Sequence, residues 1–259
     1  MKLVLSSLLL ASLVSCASRP HYPKTISEAV NSSFRSEDFR KRDQYRHPEQ
    51  TLKFFDVQPH MTVVEVWPSG GWYTEILAPY LHAKGNLIIA DPPSDPRGYT
   101  KRRQEWMKKH KDISEKITMT KFLPPDELTI APAGTVDRVL TFRNVHNWLP
   151  TANQELAFKA FYQALKPGGI LGVVEHRASK KVFDPKSGYV SQDEVIRLAK
   201  KAGLELIEAS EINANPKDTT KHPEGVWTLP PALRLGDKDR AKYLEIGESD
   251  RMTLKFRKP

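Results

Sequence analysis

Val64-Glu65-Val66-Trp67-Pro68-Ser69-Gly70-Gly71-Trp72-Tyr73-Thr74 is the stretch that decides the fold. It begins in the β-rich run Thr62 to Val66, which shows no polar/apolar alternation and so suits a strand covered on both faces. The acid Glu65 sits near the strand end, a turn carrying Gly70 and Gly71 follows, and a helical pattern runs from Tyr73 to Leu81. Glycine lets the backbone approach a ligand, and the first turn of a helix offers unbonded N–H groups, so this order makes a nucleotide-type loop. A glycine pair alone is a weak signal. About twenty residues past Gly71 the next predicted strand ends in Asp91, the spacing at which such folds hold ribose hydroxyls on an acid.

Outward from this loop, strands and helices alternate. Upstream, a helix is predicted from Ser36 to Phe55, with Pro48 a candidate break. Downstream come a strand Leu87 to Ala90, a basic helix Tyr99 to His110, and strands Ile117 to Phe122 and Val136 to Phe142. A helix Ala152 to Leu165 and a strand Ile170 to Val174 follow, with Gly168 and Gly169 turning the chain between them. Ser191-Gln192-Asp193-Glu194 is a capping box opening a helix to Ala202, which Gly203 stops. Leu204 to Ile212 and Met252 to Phe256 are the last strands, separated by a Pro-rich excursion, Asn213 to Gly236, that contains Trp227. Repeated βα units predict a doubly wound α/β domain with a mostly parallel sheet, whose ligands lie beyond the strand C-termini.

Two polar segments fall at those C-termini. Arg143-Asn144-Val145-His146-Asn147-Trp148 follows the fourth strand, and Glu175-His176-Arg177 follows the fifth; adjacent strands bring them side by side. The plainer reading is that His146 and Asn147 only cap the helix that follows. Two histidines and a glutamate can also bind zinc, but without CxxC or HExxH spacing no metal is assigned. His21, His47, His60, His82, His110 and His222 belong to no constellation and are expected at the surface.

The loop at Glu65 to Thr74, Asp91, and Leu165-Lys166-Pro167-Gly168-Gly169 together resemble the class I S-adenosylmethionine-dependent methyltransferases, over roughly Gln50 to the C-terminus. The resemblance implies a Rossmann-like seven-stranded sheet with an antiparallel last strand, here Met252 to Phe256. More narrowly, the Glu65 to Thr74 string, Phe142 to Trp148, and the ending Asp250-Arg251-Met252-Thr253-Leu254-Lys255-Phe256-Arg257-Lys258-Pro259 are similar to a group of bacterial envelope methyltransferases. It implies S-adenosylmethionine as cofactor, held by Glu65, Trp67, Gly70, Gly71, Asp91 and Asn144. Methyl transfer to oxygen or nitrogen often needs a proton removed, and His146 is the first candidate base, with Glu175 orienting it or a substrate amine, Arg143 and Arg177 candidates to hold a substrate carboxylate or phosphate, and Trp148, His176 and Arg177 expected on the substrate side. Two departures stand out: Trp67 and Ser69 occupy positions where the superfamily has glycines, and Phe122-Leu123-Pro124-Pro125 stands where an Asp often meets the adenine amine. Trp67 is expected to crowd the methionine part of the cofactor, or to stack on its sulfonium for about 0.5 to 2 kcal/mol.

The N-terminus addresses location. Met1 and Lys2 lead into the apolar run Leu3 to Leu13, and Leu13-Val14-Ser15-Cys16 resembles a bacterial lipobox around the single cysteine. The run is shorter than the ~20 residues a spanning helix needs. The resemblance implies a signal over residues 1–15, a lipid on Cys16, a tether over 16–34 and a domain over 35–259, on the periplasmic face of the outer membrane. With one cysteine no intramolecular disulfide forms. The net charge of +9 is clustered at Arg40 to Arg46 and at Lys101 to Lys111, read as solvated helix faces since no nucleic-acid motif accompanies them. A monomer with a small-molecule substrate is expected, membrane-bound only through its anchor. Because the cofactor is cytosolic, a binding module that kept the fold and changed its ligand is the alternative.

Overall fold

The computed structural model describes residues 21–179 and 184–259. Cys16 and the leader lie outside the described residues.

Seven strands form one sheet: β1 (Thr62–Val66), β2 (Asn86–Asp91), β3 (Thr118–Lys121), β4 (Val136–Phe142), β5 (Leu165–His176), β6 (Glu205–Ser210) and β7 (Arg251–Arg257). Their order is β3-β2-β1-β4-β5-β7-β6, with β7 antiparallel to both neighbours and the pairs from β3 through β5 parallel. β1 is buried on both faces, as its lack of alternation predicts: Val64 and Val66 join the core on one side and Val63 the core on the other. Sequence order reverses between β1 and β4, so a crevice opens beyond their C-terminal ends.

Helices cover both faces: α1 (Ile26–Val30), α2 (Glu37–Arg40), α3 (Asp43–Arg46), α4 (Pro48–Phe54), α5 (Thr74–Leu81), α6 (Lys101–Lys109), α7 (Lys111–Ser114), α8 (Val145–Trp148), α9 (Gln154–Ala164), α10 (Gln192–Lys201) and α11 (Arg240–Ile246). The capping box works as read, Ser191 Oγ accepting from Glu194 N at 3.1 Å.

Three departures from the sequence reading matter for the site. The helix expected from Ser36 to Phe55 breaks at Pro48, the candidate break, and again between Arg40 and Asp43, giving three short helices. Pro48 disfavours helical backbone at the residue before it, and His47 there is left-handed at φ 38°, so α3 ends and α4 starts afresh. The stretch expected to be a tether is folded from Tyr22 onward: Ile26, Ala29 and Val30, spaced i, i+3, i+4, are buried, and Thr25 caps their helix. Composition hid this stripe because it is only three residues wide. α11, within the segment after the Pro-rich excursion, was not expected at all.

Candidate active site

A cavity of about 580 Å³ opens at the C-terminal ends of β1, β4 and β5. Its walls include Glu65, Trp67, Arg143, Asn144, His146 and His176, and Trp227 and Pro230 from the Pro-rich excursion form the roof. The roof is tied down by Asp218. Its carboxylate accepts from Tyr189 Oη at 2.8 Å and from the backbone N–H groups of Thr220 and Asp250, both at 2.8 Å, and it pairs with His222 Nε2 at 2.8 Å. His222, expected at the surface, is therefore a structural partner with a 4% exposed side chain.

In the wall at β1, two positions of the loop take left-handed backbone without glycine. Trp67 and Ser69 hold left-handed backbones, φ 46° and 50°, and Arg143 at the end of β4 has φ 63°. Non-glycine residues in this region cost on the order of 1 to 3 kcal/mol each, and such outliers cluster at functional sites. The backbone keeps the shape that glycine normally supplies, with side chains added to it.

Glu175 is fully buried under the cavity floor and organises two histidines. His146 Nδ1 lies 3.0 Å from its Oε1, His146 N donates to Oε2 at 3.3 Å, and His176 N donates to Oε1 at 2.8 Å. With Glu175 ionised the His146 proton sits on Nδ1, so Nε2 presents a lone pair. His176 pairs with Ser249 Oγ at 2.5 Å and stays neutral, because burial and then the charges of its neighbours push its pKa well below 6.5. Ligand atoms of His146, Glu175 and His176 lie within 4.8 Å of one another, the make-up of a divalent metal site. Yet both Glu175 oxygens already accept hydrogen bonds from these residues, and Arg143, Arg46 and Arg251 press positive charge on His176. The arrangement suits a held base better than a cation cage.

Glu65, 2% exposed, accepts from Thr74 Oγ1 at 2.7 Å, and burial lifts its pKa to about 7. Asn144 donates to Val66 O at 2.9 Å and to Thr141 Oγ1 at 3.2 Å, so its amide N–H groups brace β1 against β4 while the residue lines the cavity.

Other expected site residues are elsewhere. The Asp91 carboxylate is held by Arg103, whose Nη1 also donates to Ser69 O at 3.0 Å. Gly71, at φ 85°, is needed by that same side chain, since an added Cβ would lie 2.8 Å from Arg103 Cγ. Asp91, Gly70 and Gly71 do not line the cavity. Trp67 does, but its Nε1 donates to Phe122 O at 2.8 Å and its ring meets Phe122 and Trp148 edge-on, so it reaches toward the end of β3. Trp148 is 1% exposed in the core beneath it, where an apolar ring gains most, and does not line this cavity. Arg177 forks onto both Asp250 and Glu211, which turns it away from a substrate. Residues the sequence reading missed include Arg103, Arg46, Glu248, Arg251 and Trp227. Arg46, counted there in a solvated cluster, points inward. The one signal was Arg251 within the closing string.

Searches with protein-family models and against curated protein sequences return no match. Solved structures do match. A methyltransferase from Aquifex aeolicus, described as S-adenosylmethionine-dependent, aligns with TM-score 0.54 and 19% identity over 68% of this chain and 92% of its own. A geranyl diphosphate methyltransferase in complex with S-adenosylmethionine aligns at 0.52 and 13% over 92% and 97%. The cyclase SpnF aligns at 0.57 and 14% over 92% and 87%. At these identities the likeness is one of architecture: this chain has the Rossmann-like, seven-stranded sheet with antiparallel last strand that defines the class I methyltransferase fold.

Proposed function

We propose that the chain is an S-adenosylmethionine-dependent methyltransferase acting on a small molecule, exported and held at the envelope by a lipid on Cys16. The observation that carries it is the buried Glu175–His146 pair opening into the cavity at the reversal point of a methyltransferase-type sheet. Glu175 fixes the imidazole so that Nε2 is free to take a proton from an acceptor hydroxyl or amine. Trp67 and Trp227 flank the same space and limit water. When bound, the cofactor supplies an electrophilic methyl group. Glu65 and Asn144, which line the cavity, would hold it at one end, and Asp91 at the end of β2, now paired with Arg103, would take the ribose at the other. Binding requires Arg103 to swing off Asp91.

The test is calorimetric titration of the full-length protein with S-adenosylmethionine and S-adenosylhomocysteine. Arg103→Ala is expected to raise affinity by at least about tenfold over wild type, and Asp91→Ala added to it to lose on the order of 2 to 4 kcal/mol. A second reading, a fold kept for a different ligand, is favoured by one observation: Arg103 and Trp67 fill both ends of the adenosyl cleft with the protein's own side chains. The presence of a cyclase among the structural neighbours agrees with it, since one fold hosts several chemistries. A folded Arg103→Ala that binds neither compound establishes this second reading over the first.

A further inference from the structure

Beside the His146–Glu175 pair, the cavity is walled by guanidinium groups in excess of their counter-charge. Glu248, 2% exposed, accepts from Arg42 Nε at 2.6 Å, from Arg46 Nε at 3.0 Å and from Arg251 Nη2. One carboxylate thus serves three arginines, of which Arg46 and Arg251 are 3% and 2% exposed. Arg42 Nη2, Arg46 Nη2 and Arg251 Nε are buried without any hydrogen-bond partner. A fourth arginine, Arg143, lines the cavity from the end of β4, and its side chain makes no hydrogen bond or ion pair with any described residue. Burial and then Arg251 push its pKa down to about 10.

Buried charges are ordinarily paired, and like charges gathered without a counter-ion oppose folding. A native fold that keeps this excess, beside a cavity, has a use for it. Arg177 shows the contrast: with two carboxylates it is fully paired and lies outside the cavity. Glu65, the other acid in the cavity wall, restores the balance only in part, since burial lifts its pKa to about 7 and one carboxylate is set against four guanidinium groups, three of them already sharing Glu248.

We propose that this arginine wall seats an oxyanion, the carboxylate or phosphate group of the cavity's small-molecule ligand, with Arg143 as its direct partner and Arg46 and Arg251 lending their charge behind it. A guanidinium fork matches either group and binds it with charge-assisted hydrogen bonds. Under the methyl-transfer reading the site names the acceptor as an anionic small molecule, with its anion at Arg143 and its nucleophile toward His146. It needs no adenosyl ligand, so the two claims are tested apart.

The experiment measures thermal unfolding and calorimetric binding of the full-length protein with inorganic phosphate and, separately, succinate, against sodium chloride at matched ionic strength. At least one of the two is expected to raise the unfolding midpoint saturably above the chloride control. A response to phosphate alone identifies a phosphorylated ligand, to succinate alone a carboxylate, and to both a seat that takes either. Arg143→Gln is expected to weaken that response on the order of tenfold or more, while its own midpoint without added anion equals or exceeds wild type, because a repelled charge has been removed. The proposal is overturned if neither anion exceeds chloride, if Arg143→Gln responds as wild type does, or if Arg143→Gln is destabilised as the loss of a structural ion pair would make it.

Discussion

Single side chains at the end of β1 trade stability for position. Glu65 is the plainest case. Its pKa in the fold is about 7 because burial disfavours the carboxylate more than the Thr74 hydroxyl and Arg103 favour it. The unfolded chain, with the ordinary value of 4.5, releases that proton earlier as pH rises. The contribution to stability is therefore full below about pH 4.5 and lost as pH climbs through about 7, roughly 3 kcal/mol in all. His176 acts in the opposite sense, since a histidine held neutral in the fold favours unfolding below its ordinary 6.5. The comparison that isolates Glu65 is wild type against Glu65→Gln in urea unfolding at pH 5 and pH 8. The wild type is expected to lose more stability across that window than the variant, and equal losses would show that the Glu65 proton is not retained on folding. Trp67 and Ser69 make a related point: left-handed backbone is adopted here without glycine, so a reading that looks only for glycines misses where the loop takes that conformation.

At the level of elements, the region before β1 carries more structure than its composition suggests. α1 lays Ile26, Ala29 and Val30 onto the core that also holds Leu77 and Tyr80 of α5. Close to it, Phe34 O accepts from Trp106 Nε1 at 2.7 Å, which fastens α6 to the same segment. Removal of residues 1–34 is expected to destabilise the protein by roughly 3 kcal/mol or more relative to removal of residues 1–20, judged by the urea midpoint and slope. A tether would give equal midpoints. The broken helix has a functional consequence too. α3, which ends at the left-handed His47, places Arg46 Nε on Glu248, which Arg42 just before the helix also reaches. Segment 213–236 acts likewise at a distance, since Asp218 holds the strand ends and carries Trp227 over the cavity.

For the whole molecule, among the described residues no helix is long and apolar enough to cross a membrane. Attachment through Cys16 then predicts that Cys16→Ser moves the protein from the membrane fraction to the soluble envelope fraction, and persistence in salt-washed membranes would count against the anchor. The alternation of strands and helices and the polar segments after β4 and β5 were legible in the chain, because periodicity, glycine turns and caps are local signals that neighbours in sequence suffice to write; the antiparallel last strand was implied only by the family resemblance, and the order of strands is a property of the folded sheet. The His146–Glu175 contact was also within reach of sequence reasoning, since adjacent parallel strands bring their ends together. What the chain could not announce is which side chains use each other up. Asp91 has the spacing of a ribose anchor, yet Arg103, twelve residues on, already holds it; Arg177 looks available and is fully paired. Arg46 and Arg251, far apart in sequence, meet on Glu248. Such pairings depend on where a turn at His47 or an antiparallel β7 carries a charged tip several ångströms from its backbone, and only burial in the finished fold decides whether that tip finds a carboxylate, a solvent shell or an empty cavity.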